Sequence, residues 1–340
     1  MDSLSQIALG AAVSVAVMGR RTPLARAALW GAVCGTLPDL DALLDHGDAV
    51  RNMTLHRAET HALFWLTLVA PLIAAGIHRL NPGGASFKRW WLAVWLVLIT
   101  HPLLDVMTVY GTRLALPFTD QPYGVGSIFI IDPLYTLPLL LGLGLTLYRK
   151  SLHANLVGLV ASTLYLTWGY GAQQQVRGVA EASLQDMGVP VQRLLVTPTA
   201  FNSVLWRVVA ITPDGYLEGF RSLLDREPHI HFERYPRGME WYEPLADHDP
   251  VQRIVAFSRG YFDLVRVDDS IRIRDLRMGQ TPYFFFSFIV AEQGPDGLMP
   301  VQPLPVGDRP PVADGLRWMR QRLLGRPLSP PGTELRNADH

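Results

Sequence analysis

The chain has 340 residues, with 30 Lys and Arg, 30 Asp and Glu, a formal net charge of zero and a pI of about 7.2. Because no excess of positive charge exists to attract a polyanion, a nucleic-acid-binding function is excluded as a first interpretation. Charged residues make up only 18% of the chain, which is below the roughly 25% of an average soluble domain.

This deficit of charge is confined to the first half. Residues 1–175 contain 20 charged residues, nine acidic and 11 basic, whereas residues 176–340 contain 40. The contrast predicts a transmembrane helical domain over residues 1–175 and a soluble domain over residues 176–325, followed by a disordered tail over residues 326–340. The lone Cys34 lies in an apolar stretch and is expected only to pack.

Six apolar stretches predict six helices in the first domain. They cover residues 7–19, 24–37, 61–80, 90–107, 128–148 and 153–171. The last four approach the roughly 20 residues that a membrane-spanning helix needs, while the first two are short and rich in Gly and Ala, as in closely packed helices. The N-terminal stretch lacks the basic start of a secretory signal, so we expect it to be retained.

Basic residues between these stretches predict the orientation of the chain. The loops after the first, third and fifth helices contain eight Lys and Arg, whereas the opposite loops contain three. Since basic loops stay in the cytoplasm, the N-terminus and the second domain are predicted on the outer face. In a bacterium this is the periplasmic side of the inner membrane.

The second domain is predicted to be rich in β-strands. The stretches "SVLWRVVAIT", "RIVAFSRGYFDLVRV" and "YFFFSFIVAE" are rich in β-branched and aromatic residues, and turn signals such as "PDG" and "QGPDG" separate them. Residues 312–324 have the pattern of an amphipathic helix. The expected fold class is a membrane all-α bundle of about six helices, followed by a β-rich soluble α+β domain.

Four polar clusters, "LPDLD", "HRAETH", "HPLLDVMTVYGT" and "IIDPLYT", interrupt the apolar stretches at helix ends. The orientation from the basic loops places all four on one membrane face, so we expect them to converge. They contain three His and four Asp that suit metal ligation. These candidate metal ligands are Asp39, Asp41, His56, His61, His101, Asp105 and Asp132.

In two of these clusters, the spacing of the residues predicts which side chains point in the same direction. We expect an extended chain after Pro38, in which Asp39 and Asp41 project to the same side. His101 and Asp105 are four residues apart and share one face of a helix, and Thr108 extends that face.

The other two clusters contain signals of helix starts. Asp132 followed by Pro133 is typical of a helix N-cap with proline in the first helical position. His56 and His61 are five residues apart and point in different directions on a helix, so at least one must precede it, with Thr60 as a plausible cap.

Mixed imidazole and carboxylate ligands favour zinc, manganese or iron over calcium and magnesium. Seven ligands exceed the needs of one catalytic zinc, so we expect two divalent ions, with zinc preferred, that activate water for a hydrolytic displacement. Glu59 is a candidate general base or orients a ligand histidine, and Asp105 is expected to act in catalysis as well as in ligation.

A site at the lipid-water boundary predicts an amphiphilic substrate, such as a lipid-linked phosphoester, with membrane lipids as partners. Taken singly, each cluster also fits a turn or a helix cap. Two other functions stay open. A transporter or proton relay predicts ionisable residues distributed along the helices, and a non-catalytic protein with a partner-binding β domain predicts a closed metal shell that joins helix ends.

The quoted motifs, together with the opening "MDSLSQIALGAA", resemble the membrane-bound metal-dependent hydrolases of bacterial inner membranes over roughly the first 140 residues. The resemblance implies an integral membrane hydrolase and gives the same seven His and Asp positions to its metal site. The family often has glycine where this chain has Ala58. The spacing of "HPLLD" is also similar to one in zinc-dependent phospholipases C, an analogy that points to phosphoester substrates.

Overall fold

The computed structural model describes residues 1–82, 84–295, 297–307 and 311–331. The chain forms two compact units. Unit 1 comprises Met1–Leu44, His56–Gly171 and Ala200–Asn202, and unit 2 comprises Asp45–Leu55, Ala172–Thr199 and the described residues from Ser203 onward. Residues 332–340 of the predicted disordered tail lie outside the described residues.

The predicted series of six long helices is confirmed. In chain order the α-helices of the first 186 residues, within the described ranges, are α1 (Ser3–Met18), α2 (Leu24–Thr36), α3 (Ala49–Leu55), α4 (Leu63–Leu80), α5 (Phe87–Val106), α6 (Pro133–Arg149) and α7 (Leu152–Asp186). The short α3 was not predicted and belongs to unit 2. Helix α7 continues to Asp186, well past its predicted end at residue 171, and the chain passes from unit 1 to unit 2 within it.

Glycines allow α1 and α2 to touch backbone to backbone. A Cβ atom on Gly31 would lie 2.3 Å from the carbonyl oxygen of Gly10, and one on Gly10 would lie 2.4 Å from that of Gly31. A Cβ atom on Gly35 would lie 2.7 Å from the carbonyl oxygen of Gln6. This is the small-residue packing expected of membrane helices, where close approach replaces the hydrophobic driving force. The apolar core of α1 and α2 also includes α4 and α5.

Within the described residues, α4 and α5 are long and apolar enough to cross a bilayer. Helices α1, α2 and α6 have 16, 13 and 17 residues, fewer than the roughly 20 that a perpendicular span requires. By this criterion of length and composition, α4 and α5 could cross a bilayer, and the membrane-spanning role of all these helices stays a prediction.

Unit 2 contains two four-stranded antiparallel sheets and one small pair of strands, which confirms the predicted β-rich domain. The first sheet has the order β1 (Arg193–Pro198), β2 (Leu205–Thr212), β3 (Gly215–Ser222), β4 (Phe232–Tyr235). The second contains β5 (Phe262–Val267), β6 (Ser270–Asp275), β9 (Ser287–Gly294) and β10 (Gly297–Pro305), in the spatial order β10-β9-β6-β5. The pair is β7 (Gly279–Gln280) with β8 (Tyr283–Phe284).

Strand β2 is the centre of the unit 2 core. All eight of its residues are buried. One face of the first sheet packs against the second half of α7 through residues that include Val176 and Ala180. On the other face, Val209 and Ile211 pack with Leu276 and Phe284. A two-residue turn joins β2 to β3, with Thr212 opposite Gly215, as "PDG" predicts.

One predicted strand stretch of unit 2 is partly helical. The first residues of "RIVAFSRGYFDLVRV" lie in α8 (Asp249–Phe257), and only its end forms β5. Pro250 in the first turn starts the helix, and Val251 and Ile254 lie on its buried face. The predicted amphipathic helix near the C-terminus is confirmed as α9 (Val312–Leu323).

The close contact of α1 with α2 can be tested by adding one methyl group. Gly31→Ala is expected to lower the free energy of unfolding by about 1–3 kcal/mol, because the new Cβ atom overlaps backbone of α1. Gly76→Ala is the matched control, since a Cβ atom on this glycine of α4 meets nothing within 4 Å. Thermal unfolding in detergent measures both; equal midpoints for the two variants would contradict the close packing.

Candidate metal centre

Four side chains from separate parts of unit 1 meet at one point. They are Asp39, His61, His101 and Asp105, and one ligand atom of each lies within 4.8 Å of the others. The Nε2 atoms of His61 and His101 are 3.2 Å apart. Asp39 Oδ1 lies 3.3 Å from His61 Nε2 and 3.4 Å from His101 Nε2. Asp105 Oδ2 lies 3.3 Å and 3.4 Å from the same two atoms.

Five of the six separations among these atoms match the edges of a tetrahedron around a small cation. Zinc binds imidazole nitrogen and carboxylate oxygen at about 2.0–2.2 Å, so tetrahedral coordination separates its ligand atoms by about 3.3–3.6 Å. The five separations are 3.2–3.4 Å. The two carboxylate oxygens complete the group, since all four atoms lie within 4.8 Å of one another.

Hydrogen bonds orient both histidines so that Nε2 faces this point. His101 Nδ1 lies 2.7 Å from the carbonyl oxygen of Gly35, which can only accept, so Nδ1 carries the proton of the neutral ring. Thr60 donates its hydroxyl proton to Asp41 Oδ2 at 2.7 Å, which leaves Thr60 Oγ1 to accept from His61 Nδ1 at 2.9 Å. Such partners fix the tautomer of metal-binding histidines.

With both imidazole rings neutral, the arrangement is unfavourable without a cation. Asp39 Oδ1 and Asp105 Oδ2 are buried and have no hydrogen-bond partner in the described part of the chain. Both face imidazole nitrogens that, in neutral rings with protonated Nδ1, present lone pairs. Four electron-pair donors in a poorly solvated space repel one another, and a divalent cation between them removes that cost. These residues therefore fit a metal ion.

Helix ends place the four ligands. His101 and Asp105 lie one turn apart in the last part of α5, which confirms their predicted shared face. His61 ends a 3-10 helix over Glu59–His61, directly before α4. Asp39 lies in a 3-10 helix over Pro38–Leu43, directly after α2. All four are thus at the same end of unit 1's helices.

The predicted extended chain after Pro38 is wrong. Proline is tolerated in the first turn of a helix, and Pro38 begins a 3-10 helix. With three residues per turn, the side chains of positions two apart point in directions that differ by about 120°. Asp39 consequently faces the metal centre, while Asp41 points away from it toward the chain at residues 56–60.

Asp41 and His56 bind each other beside the four ligands. His56 Nδ1 lies 2.7 Å from Asp41 Oδ1, and Asp41 Oδ2 accepts from the backbone N–H of Arg57 at 3.0 Å as well as from Thr60. Burial raises the pKa of Asp41, but the hydrogen bonds from His56 and Thr60 outweigh it and hold the pKa below its usual value. Asp41 therefore stays ionised and orients Thr60.

Asp132 is not part of the group of four. It is the N-cap of α6, as predicted, and accepts from Leu134 N at 3.0 Å and from the Tyr165 hydroxyl at 2.8 Å. Burial raises the pKa of its carboxyl group. Its contacts are those of a helix cap.

Three other residues that the sequence analysis singled out, Glu59, Thr60 and Thr108, lie outside the group of four ligands. Glu59 is exposed, and its carboxylate forms no hydrogen bond or ion pair with the described residues. Thr60 does not cap α4, because the N-cap is Ala62. Thr108 follows the end of α5 and donates to the carbonyl oxygen of Asp105 at 2.7 Å, so it closes the helix rather than faces the ligands.

Sequence reasoning missed the groups on the other oxygen of Asp105. Arg57 Nη2 lies 3.2 Å from Asp105 Oδ1, Gln6 Nε2 donates to that oxygen at 3.2 Å, and the Met1 amino group contacts it. Two signals were present in the sequence. Arg57 is a charged residue inside the "HRAETH" motif, and Gln6 is an amide in the apolar stretch of α1.

The hydroxyl of Thr60 is expected to raise metal affinity through His61. Thr60→Ala should weaken zinc binding by about 10–100-fold, the usual effect of removing a hydrogen-bond partner of a ligand histidine. Thr60→Ser keeps the hydroxyl and should restore most of the affinity. Competition with a zinc-selective chelator measures both, and equal affinities for the alanine and serine variants would contradict this role.

Comparison with known proteins identifies the family of this chain. No curated protein and no solved structure matches the sequence. The family model of the YdjM inner membrane protein matches residues 1–176, which confirms the family resemblance indicated by the motifs. Because this match covers more than half of the 340 residues, the chain belongs to the YdjM inner membrane protein family.

Proposed function

We propose that the protein is an integral membrane metal-dependent hydrolase whose centre is formed by Asp39, His61, His101 and Asp105. The observation that supports the proposal is the convergence of four ligand atoms within 4.8 Å of one another, two of them buried carboxylate oxygens without a hydrogen-bond partner among the described residues. A bound divalent ion would supply Lewis acidity and an activated water.

The type of ligand supports a catalytic centre. Structural zinc sites are mostly built from cysteine thiolates, whereas many catalytic sites are built from histidines, alone or with a carboxylate. Here two imidazoles and two carboxylates meet, and Cys34 is outside the group. Zinc is the preferred ion, with manganese and iron as alternatives. The second ion expected from the sequence stays a prediction, because Asp41 and His56 bind each other.

Asp39 is the ligand that water can reach. Its side chain is 21% exposed, whereas those of His61, His101 and Asp105 are 0–1% exposed. The three buried residues hold the ion, and Asp39 is the side where a reacting group enters. Glu59, exposed and two residues before His61, stays the candidate general base.

An apolar groove in unit 1 supports an amphiphilic substrate. The groove has a volume of about 350 Å³ and is lined by Leu63, Phe64, Leu114, Ala115, Leu116, Phe118 and Tyr123. It begins two residues after His61, and the Leu63 amide donates to the Leu114 carbonyl oxygen at 3.0 Å. An acyl chain in this groove would leave a polar head group near the ligands. The excess of basic residues in the opposite loops supports a periplasmic location for this end of the bundle.

The closed set of four ligands favours a second candidate function. Four protein ligands around zinc are typical of structural sites, in which the metal only joins segments of the chain. In that case the ion would fasten α5 to the segments before α4 and after α2. The transport alternative is less well supported, because the described parts of α4 and α5 contain no buried charged side chain before His101.

The metal centre is tested by elemental analysis of purified protein in detergent. The wild type is expected to retain one divalent ion per chain, and His101→Ala should lose it because one of four ligands is removed. His153→Ala is the control, since His153 is an exposed histidine at the start of α7. Full retention in His101→Ala would contradict the assignment, and two ions per wild-type chain would support the second predicted ion.

Catalysis is tested separately from binding. Metal-loaded protein in nanodiscs is expected to hydrolyse lipid or soluble phosphoesters, with a rate at least about 100-fold lower in His101→Ala. The His153→Ala variant should match the wild type. X-ray absorption of the zinc-loaded protein reports the ligand shell. Four protein ligands, without turnover of any phosphoester, would support the structural role instead.

A further inference from the structure

Arg57 is a buried cation whose hydrogen-bonding capacity is mostly unused. Its side chain is 3% exposed. Nη2 contacts Asp105 Oδ1, but Nε and Nη1 are buried without a hydrogen-bond partner among the described residues. A guanidinium group has five N–H donors, and leaving buried donors of a charged group unpaired is costly. A hydrogen-bond acceptor is therefore needed for the three N–H groups on Nε and Nη1 of Arg57.

The backbone at Arg57 is held in a strained conformation. Its φ of 64° lies in the left-handed region, which is unusual for a residue with a long side chain. The Arg57 amide donates to Asp41 Oδ2 at 3.0 Å, and the Arg57 carbonyl oxygen accepts from Arg113 N at 3.1 Å. Strain that the surrounding structure fixes in place is typical of functional positions.

The guanidinium group of Arg57 also packs against an aromatic ring. The Cζ atom of Arg57 lies 4.9 Å from the centre of the Tyr110 ring, a cation-π contact. Asp105 joins Arg57 to the metal centre, because Oδ1 contacts Arg57 while Oδ2 faces His61 and His101. Arg57 is thus one carboxylate away from the ligand atoms.

Charge balance specifies the missing acceptor. A divalent ion would balance the charges of Asp39 and Asp105, and the Asp41 carboxylate accepts from His56, Thr60 and the Arg57 amide. The Arg57 guanidinium and the Met1 amino group both contact Asp105 Oδ1. Arg57 would then be a buried cation with unused donors next to the metal. An oxyanion with several oxygens can fill both needs, and a planar guanidinium matches phosphate geometry in particular.

The geometry points to Arg57 as the residue that binds the phosphoryl group of the substrate, through Nε and Nη1. This assignment rests on the proposed function and narrows its substrate class to phosphoesters. It also makes inorganic phosphate a ligand of the metal-loaded protein. Phosphate binding can be measured without turnover, so the two proposals can fail separately.

The test is isothermal titration of inorganic phosphate into zinc-loaded protein in phosphatidylcholine nanodiscs. Arg57→Gln should weaken phosphate binding by about 10–100-fold, the equivalent of one or two charge-assisted hydrogen bonds. Arg57→Lys keeps a charge beside Asp105 but loses the two-pronged geometry, so an intermediate loss is expected. Arg79→Gln, at an exposed arginine at the end of α4, should bind phosphate like the wild type.

Metal content and thermal midpoint are recorded for every variant. Retained zinc with weakened phosphate binding in Arg57→Gln and Arg57→Lys supports the inference. Wild-type protein that holds zinc but does not bind phosphate, or Arg57 variants that bind it as tightly as the wild type, would overturn it while leaving the metal centre intact. Loss of zinc from the wild type on dialysis would instead contradict the proposed function.

A second arm identifies the source of the phosphoryl group. Phosphatidic acid is added to the nanodiscs, and the apparent affinity for inorganic phosphate is measured again. Weaker phosphate binding, with no such change in Arg57→Gln, supports recognition of a lipid head group. Unchanged phosphate binding supports recognition of a soluble phosphoester by the same arginine.

Discussion

Repulsion among four electron-pair donors is the constraint on which unit 1 depends. Two carboxylate oxygens and two imidazole nitrogens lie 3.2–3.4 Å from their neighbours, and the oxygens have no hydrogen bond that offsets this proximity. They come from the segment after α2, the segment before α4 and the last part of α5. A cation at their centre would turn these unfavourable contacts into bonds that join three segments of the chain.

The packing of the helices and the chemistry of the centre are linked through α1 and α2. Glycines let these helices approach closely, and the carbonyl oxygen of Gly35, near the end of α2, accepts from His101 Nδ1. Gln6 of α1 binds both the carbonyl oxygen of His101 and the carboxylate of Asp105. A shift of α2 would therefore move the acceptor that sets the tautomer of His101, and a shift of α1 would move the amide that donates to Asp105. The glycines at the contact between α1 and α2 are therefore required by the site as well as by the fold.

The sequence predicted the helices, the face shared by His101 and Asp105, and the N-cap at Asp132, because each follows from spacing within one segment. It could not separate Asp39 from Asp41, since an extended chain and a 3-10 helix are both compatible with Pro38 and only the second makes neighbouring carboxylates diverge. The burial and contacts of Arg57 were also not predicted from the sequence. A charge count treats this arginine as a loop residue, whereas the surrounding structure buries it against Asp105 and Tyr110.

The exposure of the four ligands indicates where a site with four protein ligands could admit the water that the proposed reaction needs. Four protein atoms leave no place for water unless one is displaced or the shell expands to five. His61 and His101 are buried and held by hydrogen bonds at Nδ1, and Asp105 is held by Arg57 and Gln6 at Oδ1. Asp39 is the partly exposed ligand, and its Oδ1 has no other partner. The proposed reaction would require an open coordination position at Asp39, so the mobility of this residue would separate a catalytic centre from a structural one.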